Sequence, residues 1–305
     1  MAEVVTLGEC MALVYPYDPV ELAHSQRLCL DIAGAESNLC IGLSRLGHSA
    51  RFISRVGEDP FGTLIVSLLQ KEKVITDSVV TDPQSPTGVF FREHLADGQR
   101  RVYYYRRGSA ASGLYEGDLS EEHFRNAKIV HLTGITPALS ASCASACWKA
   151  IDLAHQVGAL ISFDPNFRPR LWDASTARAV MLPFIGQADI LLMGHEDAVA
   201  VLGIKDEKEA LAYAASLGPK IVVMKLAERG ACLWENGHCI NVPAYPVDKV
   251  VDPVGAGDGF DAGFLSAYLR QQDLQACLQL GARVGACAVT VEGDYQGYPH
   301  LEDLL

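Results

Sequence analysis

The stretch "DPVGAGDGFDAGF", residues 252 to 264, sets Gly255, Ala256 and Gly257 ahead of a charged Asp258 and then runs into Phe260 and Phe264. Beyond Asp258, Phe260, Gly263, Phe264, Ala267 and Tyr268 follow helical spacing, with Ala262, Leu265 and Leu269 on another face. The spacing predicts a helix buried nearly all round. Gly255 to Gly257 then stand at its N-terminus, where unpaired N–H groups and the positive end of the helix dipole favour an anion. Small residues let a phosphate approach the backbone without a side-chain clash. A carboxylate repels a phosphate, so Asp258 suits catalysis better than binding: it can take the proton of a hydroxyl that attacks phosphorus. Two alternatives stay open on this pattern alone. Asp258 caps helices well, and Gly257, Gly259 and Ala262 fit G-x-G-x-x-A. The dinucleotide motif should open a βαβ unit with an acidic residue about 20 positions on, and no suitable strand follows promptly here. The sequence has no GxxxxGK[ST] pattern.

Such a site needs a rigid frame. "VVTLG" (4–8), "RFISRV" (51–56), "IVHLTG" (129–134), "LISFD" (160–164), "ILLM" (190–193) and "IVVMK" (221–225) are near-continuous apolar runs. Strands of this kind are covered on both faces, as in a parallel sheet between helices. Helical patterns lie between them at 38–47, 143–158 and 207–218, each closing on glycine. The alternation predicts an α/β fold with a mostly parallel sheet. Two stretches break the rhythm. Residues 12–33 lack a strong helical period, and "TGVFFRE" (87–93), the turn "ADGQ" (96–99) and "RVYYYR" (101–106) read as a hairpin outside the main sheet. Inserts at about 12–33 and 86–107 are therefore expected to form a small β lid over a pocket at the strand ends, within one domain spanning 1–305.

The 305 residues carry a formal charge of −12, which disfavours nucleic acid and anionic lipid as partners. No apolar run reaches the roughly 18 to 20 residues that span a bilayer, and the start shows no basic and apolar leader pattern. Nine cysteines without a CxxC argue against structural zinc and for reduced thiols. The expectation is a cytoplasmic chain.

"DPVGAGDGFDAGF" resembles the C-terminal signature of the ribokinase-like (PfkB) sugar kinases, and "GAESNLCIGLSRLG" (34–47) with "RVGEDPFG" (55–62) resembles their N-terminal one. The resemblance implies a three-layer αβα core with a β lid, ATP and Mg²⁺ as cofactors, and transfer of a γ-phosphoryl group to a sugar hydroxyl. Asp258 would be the general base, and the amides of Gly255, Ala256 and Gly257 would receive the developing charge. Gly34, Ala35 and Asn38 would bind sugar hydroxyls, and Phe90 would pack on the sugar. Ile135 would line the same wall or be plain core. Asp294 would sit near the sugar's far end or be an ordinary loop aspartate. On the nucleotide side the resemblance assigns Asp164, Asn166, Lys225, Ala227 and Gly230, with Ala227 where the family usually has glycine. In the place of the family's N-x-x-E motif, this sequence has Gly194 and Asp197. Asp197 and Asp252 are the metal candidates, and Asp252 could equally order its loop.

"VYYYRRGSAAS" (102–112), "DPNFRPRLW" (164–172) and "GECMAL" (8–13) resemble the 2-keto-3-deoxygluconate kinases within that family. Independently, Tyr104 and Arg106 are two apart on a strand and share a face, and Arg168 follows the strand "LISFD". Two arginines at one pocket in an acidic chain suit a carboxylate, although structural salt bridges are the plainer alternative. The expected reaction is ATP-dependent phosphorylation of 2-keto-3-deoxygluconate, or its galactonate epimer, at the 6-hydroxyl. Arg106 and Arg168 would hold the carboxylate end, and Asp258 the opposite one. A fructokinase- or ribokinase-type sibling and a non-catalytic sugar-acid sensor are the rivals. A lid with apolar strand faces is also expected to support a homo-oligomer.

Overall fold

The computed structural model describes residues 1–95, 99–235 and 237–304. Residues 96–98 of the expected hairpin turn lie outside the described residues. The strands are β1 (Val4–Leu7), β2 (Met11–Pro16), β3 (Leu28–Ala33), β4 (Ala50–Gly57), β5 (Val79–Asp82), β6 (Val89–His94), β7 (Arg100–Tyr105), β8 (Ile129–Thr133), β9 (Leu160–Asp164), β10 (Ile190–Gly194), β11 (Ile221–Lys225), β12 (Ala231–Glu235) and β13 (His238–Val242). The α-helices are α1 (Ala35–Arg45), α2 (Pro60–Lys71), α3 (Glu121–Phe124), α4 (Ile135–Leu139), α5 (Ala141–Val157), α6 (Ala174–Gln187), α7 (His195–Asp197), α8 (Glu207–Ser216), α9 (Ala256–Leu269) and α10 (Leu274–Ala288).

The main sheet has the order β13-β12-β11-β10-β9-β8-β1-β4-β5. It is parallel from β5 to β11, and β12 and β13 are antiparallel. Its central strands are mostly apolar because alternate residues feed two cores. Val5, Val130, Ile161 and Leu191 pack with α5, α6 and α8, while Val4, Ile129, Ile190 and Val223 pack with α1, α9 and α10. Burial on both faces thus produces three layers. The chain runs outward from β1 through β4 to β5, then returns to β8 and proceeds the other way. That reversal opens a crevice at the carboxyl ends of β1 and β8.

A second sheet, ordered β3-β2-β6-β7, is built from the two segments that broke the strand-helix rhythm. On its inner face Met11, Leu13, Ala33 and Phe90 form a separate small core. Its outer face leaves Leu28, Leu30, Tyr103 and Tyr105 exposed. The helix stops fall close to the expected glycines. Gly158 caps α5 in the left-handed conformation, whereas α1 and α8 end at Arg45 and Ser216, just short of Gly47 and Gly218. Among the described residues, no helix is long and apolar enough to cross a membrane.

Candidate active site

The carboxyl ends of the parallel strands converge on the N-terminus of α9. Gly255 precedes that helix with φ +77°, and a Cβ there would lie 1.7 Å from the carbonyl oxygen of Asp294. Only glycine meets both demands. The Tyr298 hydroxyl donates to the Gly255 carbonyl at 2.6 Å and pins the turn. Ala256, Gly257 and Asp258 form the first helical turn, whose N–H groups have no partner within the helix. The Ala256 amide reaches the Pro253 carbonyl at 3.4 Å.

Asp258 does not cap this helix. Its Oδ2 accepts from Asn38 Nδ2 at 2.8 Å, and its Oδ1 accepts from Asn166 Nδ2 at 3.4 Å. Burial raises its pKa, opposed by the Asn38 hydrogen bond and by the charge of Arg168. Asn166 follows β9 in a left-handed conformation, φ +41°, with its amide bound to Asp164 Oδ1 at 3.0 Å. Asn38 comes from α1, and its buried Oδ1 has no partner among the described residues. A buried acceptor of that kind is suited to a ligand hydroxyl. The dinucleotide alternative fails on topology: α9 follows a loop rather than a strand-helix turn, and α10, not a strand, follows it.

Behind Asp258 lies a buried ionic cluster. Lys225, at the end of β11, donates to Asp164 Oδ2 at 3.0 Å and to Asp261 Oδ1 and Oδ2 at 3.0 and 3.1 Å. Burial works against the charge of Lys225, but the two carboxylates outweigh it and hold the ammonium protonated. Burial, together with Asp164, pushes Asp261 well above the carboxylate range. Burial also opposes the charge of Asp164, but Lys225 brings its carboxyl below its ordinary value. Gly257 faces the cluster, since a Cβ there would meet Lys225 Nζ at 3.7 Å. Asp197, in α7, accepts from the amides of Phe167 and Gly194, both at 2.8 Å. Burial and then the nearby Asp164 push it up to about 6. Ala227 takes φ +51° in the turn below, and Gly230 takes φ +92° against the backbone of Val242 and Pro243.

The lid contributes the opposite wall. Phe90 stacks on Tyr104 with ring centroids 5.4 Å apart, and the guanidiniums of Arg106 and Arg170 each lie 5.8 Å from the Tyr104 centroid. Ile135 and Ala35 are buried at the starts of α4 and α1. Gly34 is set by packing, because a Cβ there would lie 2.3 Å from the Glu9 carbonyl oxygen.

Three candidate residues have surroundings that no local pattern shows. Arg106 is not an unmatched charge: its Nε donates to Glu9 Oε2 at 2.6 Å, and its Nη2 also pairs with that carboxylate. Arg168 follows β9. It is exposed, makes no ion pair among the described residues, and its charge acts on Asp258 itself. Asp252 has a cation at each oxygen, Arg92 Nη1 at 3.3 Å and Arg100 Nη1 at 3.2 Å. Loop ordering, the other expectation for Asp252, agrees with this geometry. Asp294 is likewise held by Arg92 at 2.9 Å, while burial pushes its carboxyl up to about 7.

Several residues at the site went unread in the sequence. Glu36 is fully buried beside Gly8, accepts from Thr133 and Thr136 at 2.6 and 2.7 Å, and has one oxygen without a partner among the described residues. Glu9, Arg92 and Asp261 were also missed. Asp261 alone left a local trace, since it stands three positions after Asp258 and shares a helix face with it.

A sequence profile described as pfkB family carbohydrate kinase matches residues 1–301. The chain is 35% identical to the 2-dehydro-3-deoxygluconokinase of Bacillus subtilis (strain 168), covering 99% of this chain and 94% of that protein. It is 29% identical to Fructokinase-1 of Oryza sativa subsp. japonica over 99% of this chain and 96% of that one. A crystal structure from E. coli, provisionally assigned as a ribokinase II and solved with ATP and Mg²⁺, superimposes with a TM-score of 0.91. It shares 25% identity and covers 100% of this chain and 98% of that one.

Proposed function

The chain belongs to the pfkB family of carbohydrate kinases, and from that premise we propose that it transfers the γ-phosphoryl group of ATP to the 6-hydroxyl of 2-keto-3-deoxygluconate or its galactonate epimer. The observation that carries this reading is Asp258 at the N-terminus of α9, its carboxylate steadied by Asn38 and Asn166. Asp258 takes the proton of the attacking hydroxyl, and the first-turn amides at Gly255 to Gly257 receive charge from the transferred group. Gly34, Ala35 and Asn38 face the sugar hydroxyls. Phe90 and Tyr104 offer an aromatic platform, and Ile135 backs the same wall. Arg106 and Arg168 favour an anionic sugar over a neutral one. Asp294 borders the sugar's far end.

ATP lies over Lys225, Ala227 and Gly230, with Asp164 and Asn166 between nucleotide and base. Mg²⁺ is commonly held by one or two carboxylates together with phosphates and water. Asp197, a buried carboxyl held by the amides of Phe167 and Gly194, would hold metal-bound water. Bound there, Mg²⁺ supplies charge neutralisation of the phosphates.

The apolar outer face of the lid supports self-association through it, which light scattering would read as a mass above 32.9 kDa. All nine cysteines are unpaired, which suits a reducing compartment such as the cytoplasm.

A second reading is a fructokinase-type reaction. The Glu9–Arg106 pair favours it, because a guanidinium already neutralised draws a carboxylate less strongly. A coupled ADP-release assay with both keto-deoxy acids, fructose and ribose separates the two. Turnover of a keto-deoxy acid above fructose supports the first reading, and the reverse order replaces it. Asp258→Asn should remove turnover on any of these sugars while sugar binding, read by calorimetry, persists.

A further inference from the structure

Two arginines of the lid reach down to the loop from which α9 starts. Arg92, on β6, is 3% exposed overall, and its Nη1 contacts Asp294 Oδ1 at 2.9 Å and Asp252 Oδ2 at 3.3 Å. Arg100, on β7, contacts Asp252 Oδ1 at 3.2 Å and donates from Nη2 to the Val251 carbonyl at 2.8 Å. Both aspartates act on the helix start. Asp252 accepts from the Val254 amide at 3.3 Å and from the Gly293 amide at 3.5 Å. The Asp294 carbonyl fills the space beside Gly255 that a Cβ would need.

We propose that Arg92 and Arg100 are positioning residues for phosphoryl transfer: through Asp252 and Asp294 they latch the lid to the loop that presents the Gly255–Gly257 amides and Asp258. The proposal rests on the reading of that helix terminus as the phosphoryl-receiving site. Stability alone does not account for the arrangement. Three buried charges, Arg92, Asp252 and Asp294, carry a desolvation cost that apolar side chains of similar volume would avoid, and Arg92 Nη2 remains buried without a partner among the described residues. What the four groups do supply is a fixed distance between sheet and loop. The inner face of the lid that carries Phe90 also carries Arg92, two positions on along the same strand. The sheet that carries Phe90 to the sugar wall therefore also holds Asp252 and Asp294 through Arg92, and so fixes the loop that presents the amides. Transfer is sensitive to such placement, with displacements of about 1 Å worth on the order of 100-fold in rate.

The test is steady-state kinetics of Arg100→Gln, Arg92→Gln and Asp252→Asn. Arg101→Gln serves as the control, being an exposed lid arginine that pairs with Glu21 outside this network. Arg100→Gln should lower kcat roughly 10- to 100-fold with the sugar KM changed less than about 3-fold, and Arg100→Lys should recover part of the loss. The Arg100→Gln/Asp252→Asn double variant should cost little more than Asp252→Asn alone. Wild-type kcat in Arg100→Gln, a loss carried by KM, or multiplicative losses in the double variant would each overturn the latch. If Arg92→Gln or Asp252→Asn does not fold, the kcat-against-KM split of Arg100→Gln decides alone. All ratios are taken on whichever sugar the wild type turns over best, so a wrong substrate shows in the wild type and leaves the latch readable.

Discussion

Asn38 and Asp258, 220 positions apart in the chain, share a hydrogen bond of 2.8 Å. It joins α1 to α9 where the two helices come unusually close, since a Cβ on Gly42 would lie 2.6 Å from that of Ala262. The bond also sets the working range of the base. Burial pushes Asp258 above its ordinary 3.8, and the Asn38 N–H, which favours the charged form, pulls it back. A base works only when ionised, so kcat/KM should fall as pH drops through a value above 3.8. Asn38→Leu removes the donor and Arg168→Met removes a cation, so each should move that acid limb to higher pH. A pH–rate profile checks both, and a limb that stays in place or moves down in either variant contradicts the assignment.

Gly255 and Gly257 make a matched pair of substitutions. At Gly255 the backbone is left-handed and the Asp294 carbonyl occupies the Cβ position. Gly255→Ala should therefore displace the helix start and lower kcat by roughly 100- to 1,000-fold, the range for losing an oxyanion donor. Gly257 has ordinary helical backbone, and the nearest atom to an added Cβ is Lys225 Nζ at 3.7 Å. Gly257→Ala should fold as stably as wild type and lose activity through poorer approach of the phosphate. Thermal unfolding beside ATP titrations separates the two, and equal melting losses in both variants would count against this account.

Local chemistry explains which parts of the site were legible in sequence. Small residues ahead of a buried helix signal an anion site wherever they occur, so Gly255 to Asp258 could be read from thirteen letters. β1, β8, β9, β10 and β11 were legible because burial on both faces leaves near-continuous apolar runs. β5, β12 and β13 are less regular in pattern, and they lie at or next to the sheet edges. Glu9, Glu36 and Arg92 gain meaning only from partners far away in the chain. The arginines around Asp252 were hidden for the same reason: Arg100 donates to its neighbour Val251 across 151 positions, and nothing near Asp252 announces an arginine.

Lys225 lies between two buried carboxyls, and removing it leaves both without a counter-charge. Breaking a buried pair in this way costs about 3–5 kcal/mol, so Lys225→Met should lose about that much stability at neutral pH. The sign with pH follows from Asp261, whose folded pKa is raised by burial. Such a carboxyl contributes stability that is fully present below its unfolded pKa and is lost as pH rises through the folded one. Without Lys225, Asp164 joins it. The deficit of Lys225→Met against wild type should therefore shrink as pH falls from neutral to mildly acidic. Urea midpoints at the two pH values test this, and a deficit that grows on acidification contradicts it.

Glu9 decides how strongly Arg106 can draw an anionic sugar. The carboxylate is buried, receives Arg106 Nε at 2.6 Å and Ser109 Oγ at 2.5 Å, and belongs to the turn that links the main sheet to the lid. It therefore both orients the guanidinium and screens its charge. Arg106→Met removes a charge-assisted contact to the substrate, worth about 1.5–3 kcal/mol. The KM for a keto-deoxy acid should rise by roughly 10- to 100-fold, while kcat/KM for fructose moves less than about 3-fold. Glu9→Gln keeps the shape and removes the screening charge, so it should favour the acid over fructose relative to wild type. The ratio of kcat/KM for the two sugars reads both effects without depending on enzyme concentration. If Arg106→Met weakens acid and fructose equally, Arg106 supports the lid rather than the carboxylate. Anion recognition would then rest on Arg168, whose guanidinium is exposed and free of ion pairs among the described residues.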